Sequence, residues 1–170
     1  MARIVILGAG ISGHTAARYL HVELGQEHEI TVVSPNEQWN WIPSNIWVGV
    51  GQMTEADVTF DLADVYRKTR IQFKQARGVS LHPQGQGDDA QPFVTIEHTR
   101  AEKLGQIEAV PYDYLINATG PKLNFGATEG LGPDHGHTVS VCTAHHALEA
   151  NAKLQAIIQA LQRGEDQTLV

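Results

Sequence analysis

The feature that most constrains this chain is an apolar segment that runs directly into three closely spaced glycines, residues 3–17 (RIVILGAGISGHTAA). The residues before the glycines are mostly β-branched, which is typical of a parallel strand buried on both faces. A helical pattern follows them. The spacing G-x-G-x-x-G between a strand and a helix is typical of a dinucleotide-binding βαβ unit, because the helix N-terminus attracts a pyrophosphate.

Each glycine of this motif has its own expected role. Gly8 makes the tight turn after the strand, and Gly10 lets the backbone approach a phosphate that a Cβ would push away. Gly13 allows the helix to pack closely on the strand. The free N–H groups of Ile11 and Ser12 are expected to face the phosphates, where the helix dipole favours negative charge.

The pattern predicts a first helix over residues 11–24, stopped by Gly25, and a second strand over residues 30–33. Many dinucleotide sites carry an Asp or Glu at the end of this strand to bind the ribose hydroxyls, but here the position holds Ser34. A serine can hydrogen-bond a ribose, though less strongly than a carboxylate. The identity of the nucleotide is therefore not fixed at this position.

The rest of the chain predicts an α/β fold, a Rossmann-like domain with a parallel sheet and an inserted antiparallel β-meander. A strand beginning at the end of the chain suggests to us a fragment of a longer polypeptide. The predicted elements are a surface helix over 57–68, short antiparallel strands over 71–73, 79–81 and 93–97, a buried strand within 112–120, a helix over 143–163 and a strand start at 168–170.

All three tryptophans lie in one short stretch, at Trp39, Trp41 and Trp47. One interpretation is that they anchor a long loop onto the core. The other is that they form an aromatic wall beside a planar cofactor or an apolar substrate. The two interpretations are compatible.

Composition excludes several classes of function. The formal net charge is −7, and no basic run is present, so we expect no nucleic-acid partner. The apolar N-terminal run is broken by glycines and lacks a cleavage pattern, so we expect neither a secretory signal nor a membrane-spanning segment. The single cysteine, Cys142, excludes an internal disulfide.

Cys142 immediately precedes Thr143, the predicted N-cap of the last helix. This position favours the nucleophilic thiolate, whereas the simpler alternative is a small buried apolar side chain. His146 follows four residues later, and we expect it on the same helical face, where it could move a proton or stabilise the thiolate. Its simpler alternative is a packed or solvated side chain.

Two other residue patterns predict no chemistry. His135 and His137 have a spacing that could bind a metal, but two ligands in a glycine-rich loop are too few, so we expect no metal site. Ser12 and Ser34 lack the strained turn of a serine hydrolase nucleophile.

Taken together, the glycine motif, the inserted meander and the segment 112–120 (YDYLINATG) resemble the flavoproteins with two dinucleotide-binding domains. Segments 118–126 (ATGPKLNFG) and 141–149 (VCTAHHALE), with the Trp-x-Pro loop, resemble the sulfide:quinone oxidoreductases in particular. The resemblance covers the whole chain, residues 1–170, and implies an FAD-binding domain. It implies FAD held at Gly8, Gly10, Ile11, Ser12 and Gly13, with Ser34 near the ribose, Gly78 near the adenine through its backbone, Thr119 and Gly120 closing over the nucleotide, and Pro43 and Ser44 against the flavin.

In that family a pair of redox cysteines beside the flavin oxidises sulfide, and the electrons pass to a membrane quinone. The resemblance places both cysteines beyond residue 170, together with a second nucleotide-like domain and a C-terminal segment for quinone and membrane binding. It matches Cys142 to a third, accessory cysteine and His146 to the histidine that follows it. The full-length protein is then expected to be peripheral to a membrane, on a side the sequence does not fix, and the isolated chain to be inactive.

Two alternatives within the flavoproteins stay open. They are the flavin subunit of a flavocytochrome c sulfide dehydrogenase and a type II NADH dehydrogenase. A non-catalytic nucleotide-binding or redox-sensing module is an alternative of another class. Two further cysteines after residue 170 would favour sulfide chemistry, whereas a second G-x-G-x-x-G motif would favour NADH.

Overall fold

A computed structural model describes residues 1–88, 90–133 and 136–168. The chain divides into two compact units, one of residues 1–39 and 61–121 and the other of residues 40–60 and 122–170. Within these described ranges, no helix is long and apolar enough to cross a membrane. In chain order the elements are β1 (Arg3–Leu7), α1 (Ile11–Leu24), β2 (Glu29–Ser34), β3 (Gln38–Asn40), a 3₁₀ turn (Ile42–Ser44), α2 (Asn45–Gly49), α3 (Glu55–Val58), β4 (Thr59–Asp61), α4 (Leu62–Arg67), β5 (Gln72–His82), β6 (Phe93–His98), a 3₁₀ turn (Ala101–Lys103), β7 (Ile107–Pro111), β8 (Tyr114–Asn117), a 3₁₀ turn (Phe125–Ala127) and α5 (Ala144–Gln162).

The first unit is built on a six-stranded sheet in the order β7-β6-β5-β2-β1-β8. The pairs β1–β2, β1–β8 and β2–β5 are parallel, and β5, β6 and β7 pair antiparallel as a meander. β3 and β4 form a separate two-stranded sheet. The predicted α/β fold, with a parallel sheet and an inserted meander, is confirmed.

β1 and β2 are apolar and buried along almost their whole length, which is typical of parallel strands. α1 begins and ends at the predicted residues, with Gly13 and Ala17 on its buried side. One buried cluster joins the parallel strands to the meander, and its members are Val5, Leu7, Val33, Ala76, Val94, Ile96, Val110 and Tyr112.

The predicted single helix over residues 57–68 is wrong. The structure places α3, β4 and α4 there, so a short strand interrupts the helical pattern. Thr54 and Asp57 form a capping box at α3, and the Asp61 carboxylate caps α4 by accepting from the Asp64 N–H at 3.1 Å. A cap starts a new helix, and Thr59 and Phe60 before it favour extended backbone, so local chemistry overrides the apolar spacing.

The predicted strands at 71–73 and 79–81 are parts of one strand, β5. Its residues 72–75 pair parallel with β2, and its residues 76–82 pair antiparallel with β6. The register shifts between Gly78 and Ser80, where a bulge breaks the alternation. Polar residues separate the two apolar stretches, so the sequence pattern does not show that the strand is continuous.

The strand predicted within residues 112–120 is present as β8, but it is not fully buried. Tyr114 is 65% exposed, and Leu115 and Ile116 are only half-buried. Within the described part of the chain, β8 pairs with β1 alone and is therefore an edge strand. The predicted strand start at 168–170 is not seen at Thr168, and its other two residues lie outside the described ranges.

The second unit packs short helices against α5. Its buried cluster consists of Val48, Val58, Ala144 and Ala147, with Met53 beside it. α5 begins after the predicted N-cap Thr143, whose hydroxyl accepts from the His146 N–H. The buried residues of α5 are alanines, whereas three of its larger apolar side chains are exposed, namely Leu148, Ile158 and Leu161.

A polar contact in the first unit holds α1 against α4. His14 Nδ1 lies 2.9 Å from the hydroxyl of Tyr66, and the His14 ring also packs against Trp39. Burial raises the pKa of Tyr66 to about 12, so its hydroxyl stays protonated. Burial, with a smaller contribution from Arg18, lowers the pKa of His14 and keeps its ring neutral, and the tautomer of the ring decides which of the two groups donates.

This contact predicts a pH dependence of stability. Because the folded pKa of His14 lies below its ordinary value of 6.5, its contribution to stability is fully present above that pH. It is lost as the pH falls through the folded pKa, because the unfolded chain takes up the proton first. Thermal unfolding measured from neutral to mildly acidic pH should therefore show a smaller loss of stability in His14→Gln than in the wild-type chain.

The matched control is His21→Gln, which removes an imidazole from the same helix without touching Tyr66. We expect its pH profile to follow the wild type. If His14→Gln lost as much stability toward acid as the wild-type chain, the neutral His14 would have no part in the pH dependence.

Candidate functional site

The glycine motif forms a close backbone junction at the carboxyl edge of the parallel sheet. Gly8 has φ +95°, and a Cβ there would collide with the carbonyl oxygen of Ala118. A Cβ on Gly13 would collide with the carbonyl oxygen of Gly8. The Gly8 N–H donates to the Val33 carbonyl at 2.7 Å, so β1, β2, α1 and the end of β8 meet here through backbone.

Gly10 differs from these two glycines. A Cβ built on it would meet no atom within 4 Å, so the space beside Gly10 is open. Gly10 is also the N-cap of α1, and neither a side-chain cap nor an acidic residue is present in the first turn. The first amides of α1, including those of Ile11 and Ser12, therefore face open space without a side-chain acceptor, which suits an anionic group.

Other predicted nucleotide residues of the first unit lie at the same sheet edge. Ser34 ends β2 and is buried, and its Oγ accepts from the Asn36 N–H at 3.4 Å. Gly78 lies beside Leu7, the last residue of β1, because a Cβ on Gly78 would be 3.6 Å from Leu7 Cδ1. The carboxyl ends of parallel strands are where nucleotides bind in open α/β sheets.

The turn after β8 is also ordered by its own side chains. The Asn117 side-chain oxygen accepts from the Thr119 N–H at 3.2 Å and from the Thr119 hydroxyl at 2.9 Å. Gly120 follows with φ +70°, a conformation that favours glycine. The Ala118 N–H donates to Leu7 at 2.8 Å, which attaches this turn to the end of β1.

A cavity of about 640 Å³ in the first unit contains none of the predicted site residues. It lies between α4, the start of β5 and the turn after β6. Many of its charged side chains already have partners, such as Asp64 with Arg67 and Lys74 with Glu108. We assign it no role.

In the second unit, the predicted flavin-facing residues Pro43 and Ser44 lie in the 3₁₀ turn Ile42–Ser44. Trp41 and Trp47 beside this turn are 43% and 48% exposed, so about half of each side chain is covered by the protein. In the first unit, Trp39 is half-buried against His14 and fits the anchor interpretation.

Asn40 and Asn45 flank this turn and were missed by the sequence reasoning. Asn45 is fully buried. The two amides bond each other, at 2.8 Å and 2.9 Å, and Asn45 Nδ2 also donates to the Val141 carbonyl at 3.0 Å. The only signal in the sequence was two asparagines at the ends of a Trp-rich loop.

Cys142 is exposed, so its interpretation as a small buried apolar side chain is wrong. Thr143 separates it from the first residue of α5, so Cys142 is not itself on a helical face. Among the described residues, no hydrogen bond joins Cys142 to His146. The proposed pairing of the two side chains through helical spacing is therefore not seen.

His146 is half-buried in the first turn of α5, where its ring meets Phe125 edge-on at 6.1 Å. Its Nδ1 is buried and has no hydrogen-bond partner in the described part of the chain. A buried nitrogen without a protein partner is one whose hydrogen bond a ligand could supply. Of the two residues considered for a metal, His137 donates its backbone N–H to the Gly130 carbonyl at 2.7 Å, and His135 lies outside the described residues.

Comparison with known proteins gives consistent matches. The family described as pyridine nucleotide-disulphide oxidoreductase matches residues 2–159. The sulfide-quinone reductase of Aquifex aeolicus (strain VF5) is 32% identical over 154 residues, covering 91% of this chain and 31% of that protein. The mitochondrial sulfide:quinone oxidoreductase of Dictyostelium discoideum is 25% identical over 164 residues, covering 96% of this chain and 32% of that protein.

The crystal structure of the sulfide:quinone oxidoreductase from Aquifex aeolicus matches with a TM-score of 0.75 and 30% identity, covering 94% of this chain and 33% of that one. The chain thus spans about a third of the length of the curated relatives it matches, at 31% and 32%. The chain belongs to the pyridine nucleotide-disulphide oxidoreductase family, and its similarity to the sulfide-quinone reductases confirms the resemblance in its motifs.

Proposed function

We propose that this chain is the FAD-binding part of a longer flavoprotein that oxidises sulfide and passes the electrons to a quinone. The observation that carries the proposal is the uncapped N-terminus of α1 beside the open space at Gly10. The identity of 32% to a sulfide-quinone reductase supports the choice of substrate class.

The start of α1, residues Gly10, Ile11 and Ser12, forms a cradle that fits a dinucleotide. The amides of Gly10, Ile11 and Ser12 would bind the pyrophosphate oxygens, and the collisions at Gly8 and Gly13 show that the junction beneath them tolerates no side chain. When bound, FAD would supply two-electron acceptor chemistry. Ser34 would bind the ribose, Gly78 the adenine through its backbone, and Thr119 and Gly120 would close over the nucleotide, while Pro43 and Ser44 of the second unit would face the flavin.

Cys142 and His146 are proposed as accessory groups of the sulfide reaction. An exposed thiol is accessible to a small anion such as hydrosulfide. The unpartnered Nδ1 of His146 would hold or move the proton that sulfide releases. The two electrons require a cysteine pair, and this chain contains one cysteine.

The remaining parts of the proposed activity belong to the rest of the polypeptide. They are the redox cysteine pair, a second nucleotide-like domain, and a C-terminal segment that binds the quinone and the membrane surface. We therefore propose that the full-length protein is a peripheral membrane protein and that residues 1–170 alone bind FAD weakly and do not turn over.

The cradle predicts the effect of a single added side chain. Gly10→Val should fold normally, because its Cβ meets no atom within 4 Å, yet the side chain should occupy the space of the phosphates and abolish FAD binding. The test is flavin occupancy of the purified longer protein by absorbance, and FAD titration of residues 1–170 by fluorescence.

The matched control is Gly126→Val, because a Cβ on Gly126 likewise meets no atom within 4 Å and Gly126 belongs to the second unit, whereas Gly10 belongs to the first. We expect it to keep full flavin occupancy. Full occupancy in a folded Gly10→Val protein would contradict FAD binding at this glycine loop.

A second prediction concerns the accessory groups. In the longer protein, Cys142→Ser should slow flavin reduction by sulfide without changing flavin content or reduction by dithionite. His146→Ala should change the pH dependence of the sulfide step if this residue transfers a proton. The measurement is stopped-flow absorbance of the flavin after mixing with sulfide across a range of pH.

His145→Ala is the control for His146, since the neighbouring His145 is exposed and its Nε2 lies 3.3 Å from Glu149. Wild-type rates and pH profiles in both Cys142→Ser and His146→Ala would assign these residues to packing or solvation alone. Rapid reduction by NADH with none by sulfide would instead favour the NADH dehydrogenase alternative.

A further inference from the structure

The second unit contains a pair of side-chain amides, the buried Asn45 and the half-buried Asn40, that bond each other. Asn45 uses both N–H groups, one on the Asn40 side-chain oxygen and one on the Val141 carbonyl. Asn40 also uses both, one on the Asn45 side-chain oxygen and one on the Val58 carbonyl at 3.2 Å. Four separate parts of the second unit are therefore joined at one point.

The pair closes the turn that precedes α2. Asn40 and Asn45 lie on either side of the 3₁₀ turn Ile42–Ser44, and the Trp41 N–H donates to the same Val58 carbonyl at 2.7 Å. Buried amide hydrogen bonds of this kind specify one arrangement, because leaving any member unpaired is costly. The turn that carries Pro43 and Ser44 is therefore held at both ends.

The bond from Asn45 to Val141 extends this control to Cys142. The Val141 carbonyl and the Cys142 N–H belong to one planar peptide unit. The carbonyl accepts from Asn45 at 3.0 Å, and the N–H donates to Ser140 Oγ at 3.1 Å. Both polar groups of the peptide unit between Val141 and Cys142 are therefore hydrogen-bonded, although the thiol itself is exposed.

The residue after Cys142 is also held. The Thr143 hydroxyl accepts from the His146 N–H at 3.1 Å and so starts α5 at a defined residue. A cysteine that only filled space would not need a fixed peptide on both sides. The thiol is therefore open to solvent, while the backbone that carries it has a defined position relative to the turn at residues 42–44.

We propose that Asn45 is a positioning residue that fixes Cys142 relative to the turn carrying Pro43 and Ser44. This rests on the proposed function, in which Cys142 is an accessory group of the sulfide reaction and the turn faces the flavin. Asn45 touches neither substrate nor flavin in this proposal and acts through the peptide of Cys142.

The test uses Asn45→Asp and the protection of the Cys142 amide against hydrogen exchange, measured by nuclear magnetic resonance on residues 1–170. Near pH 8 the ionised carboxylate has no proton to donate to Val141, so Cys142 should lose protection by about fivefold or more, the factor of one buried hydrogen bond. Near pH 5 the carboxyl should be largely protonated, because burial raises its pKa. Its single O–H can replace only one of the two N–H donors of Asn45, so protection should recover in part.

Two further variants complete the experiment. Asn45→Ser introduces no charge and is too short to reach Val141, so it should lose protection at both pH values and remains informative if Asn45→Asp fails to fold at neutral pH. Asn151→Asp places the same new charge on α5, at a side chain that accepts from Gln155 and not one that bonds Val141, and should keep wild-type protection at Cys142.

The outcomes separate positioning from general stability. A loss confined to Cys142 and its neighbours, reversed in part by acid in Asn45→Asp alone, supports the proposal. Unchanged protection in folded Asn45→Ser would overturn it, and so would an equal loss across the amides in the middle of α5. Because the readout needs no flavin or sulfide, its failure is distinguishable from failure of the proposed function.

In the longer protein, Asn45→Ser should lower the rate of flavin reduction by sulfide while leaving flavin content unchanged. A normal sulfide rate, together with the loss of protection at Cys142, would show that the peptide is positioned but that its position does not serve the sulfide step. This result would overturn the functional part of the proposal.

Discussion

The first unit depends on a junction in which three backbone segments meet without side chains. Gly8, Gly13 and Ala118 come so close that a Cβ on either glycine would collide with a carbonyl oxygen. This closeness brings the end of β1, the start of α1 and the end of β8 to one point. The amides at the start of α1 have no side-chain cap beside Gly10, so the proposed anion site lies at the same junction that packs the sheet.

The parts of the fold that the sequence predicted well are those with strong local signals. The glycine motif and Gly25 set the ends of α1, and Thr143 set the start of α5. The errors came where distant contacts decide. β5 looked like two strands because polar residues separate its apolar stretches, and no local pattern shows that it pairs with β2 over one half and with β6 over the other. β8 has the composition of a buried strand but lies at an edge.

The same difference between local signals and distant contacts applies to the candidate site. The nucleotide residues could be named from the glycine spacing and from the family resemblance, because backbone approach to a phosphate requires glycine. The roles of Asn45 and His14 could not be predicted, because each depends on a partner far along the chain, Val141 for Asn45 and Tyr66 for His14. A single asparagine or histidine does not reveal such a partner.

The held peptide before Cys142 has a practical consequence for solution studies. The chain has one cysteine, and its thiol is exposed, so a spin label or a fluorescent dye would attach at a single site. At most exposed positions, local backbone motion at the attachment site contributes to the signal of such a reporter. Here the reporter would sit on a fixed peptide at the start of α5, and changes in its signal would reflect movement of the protein around it.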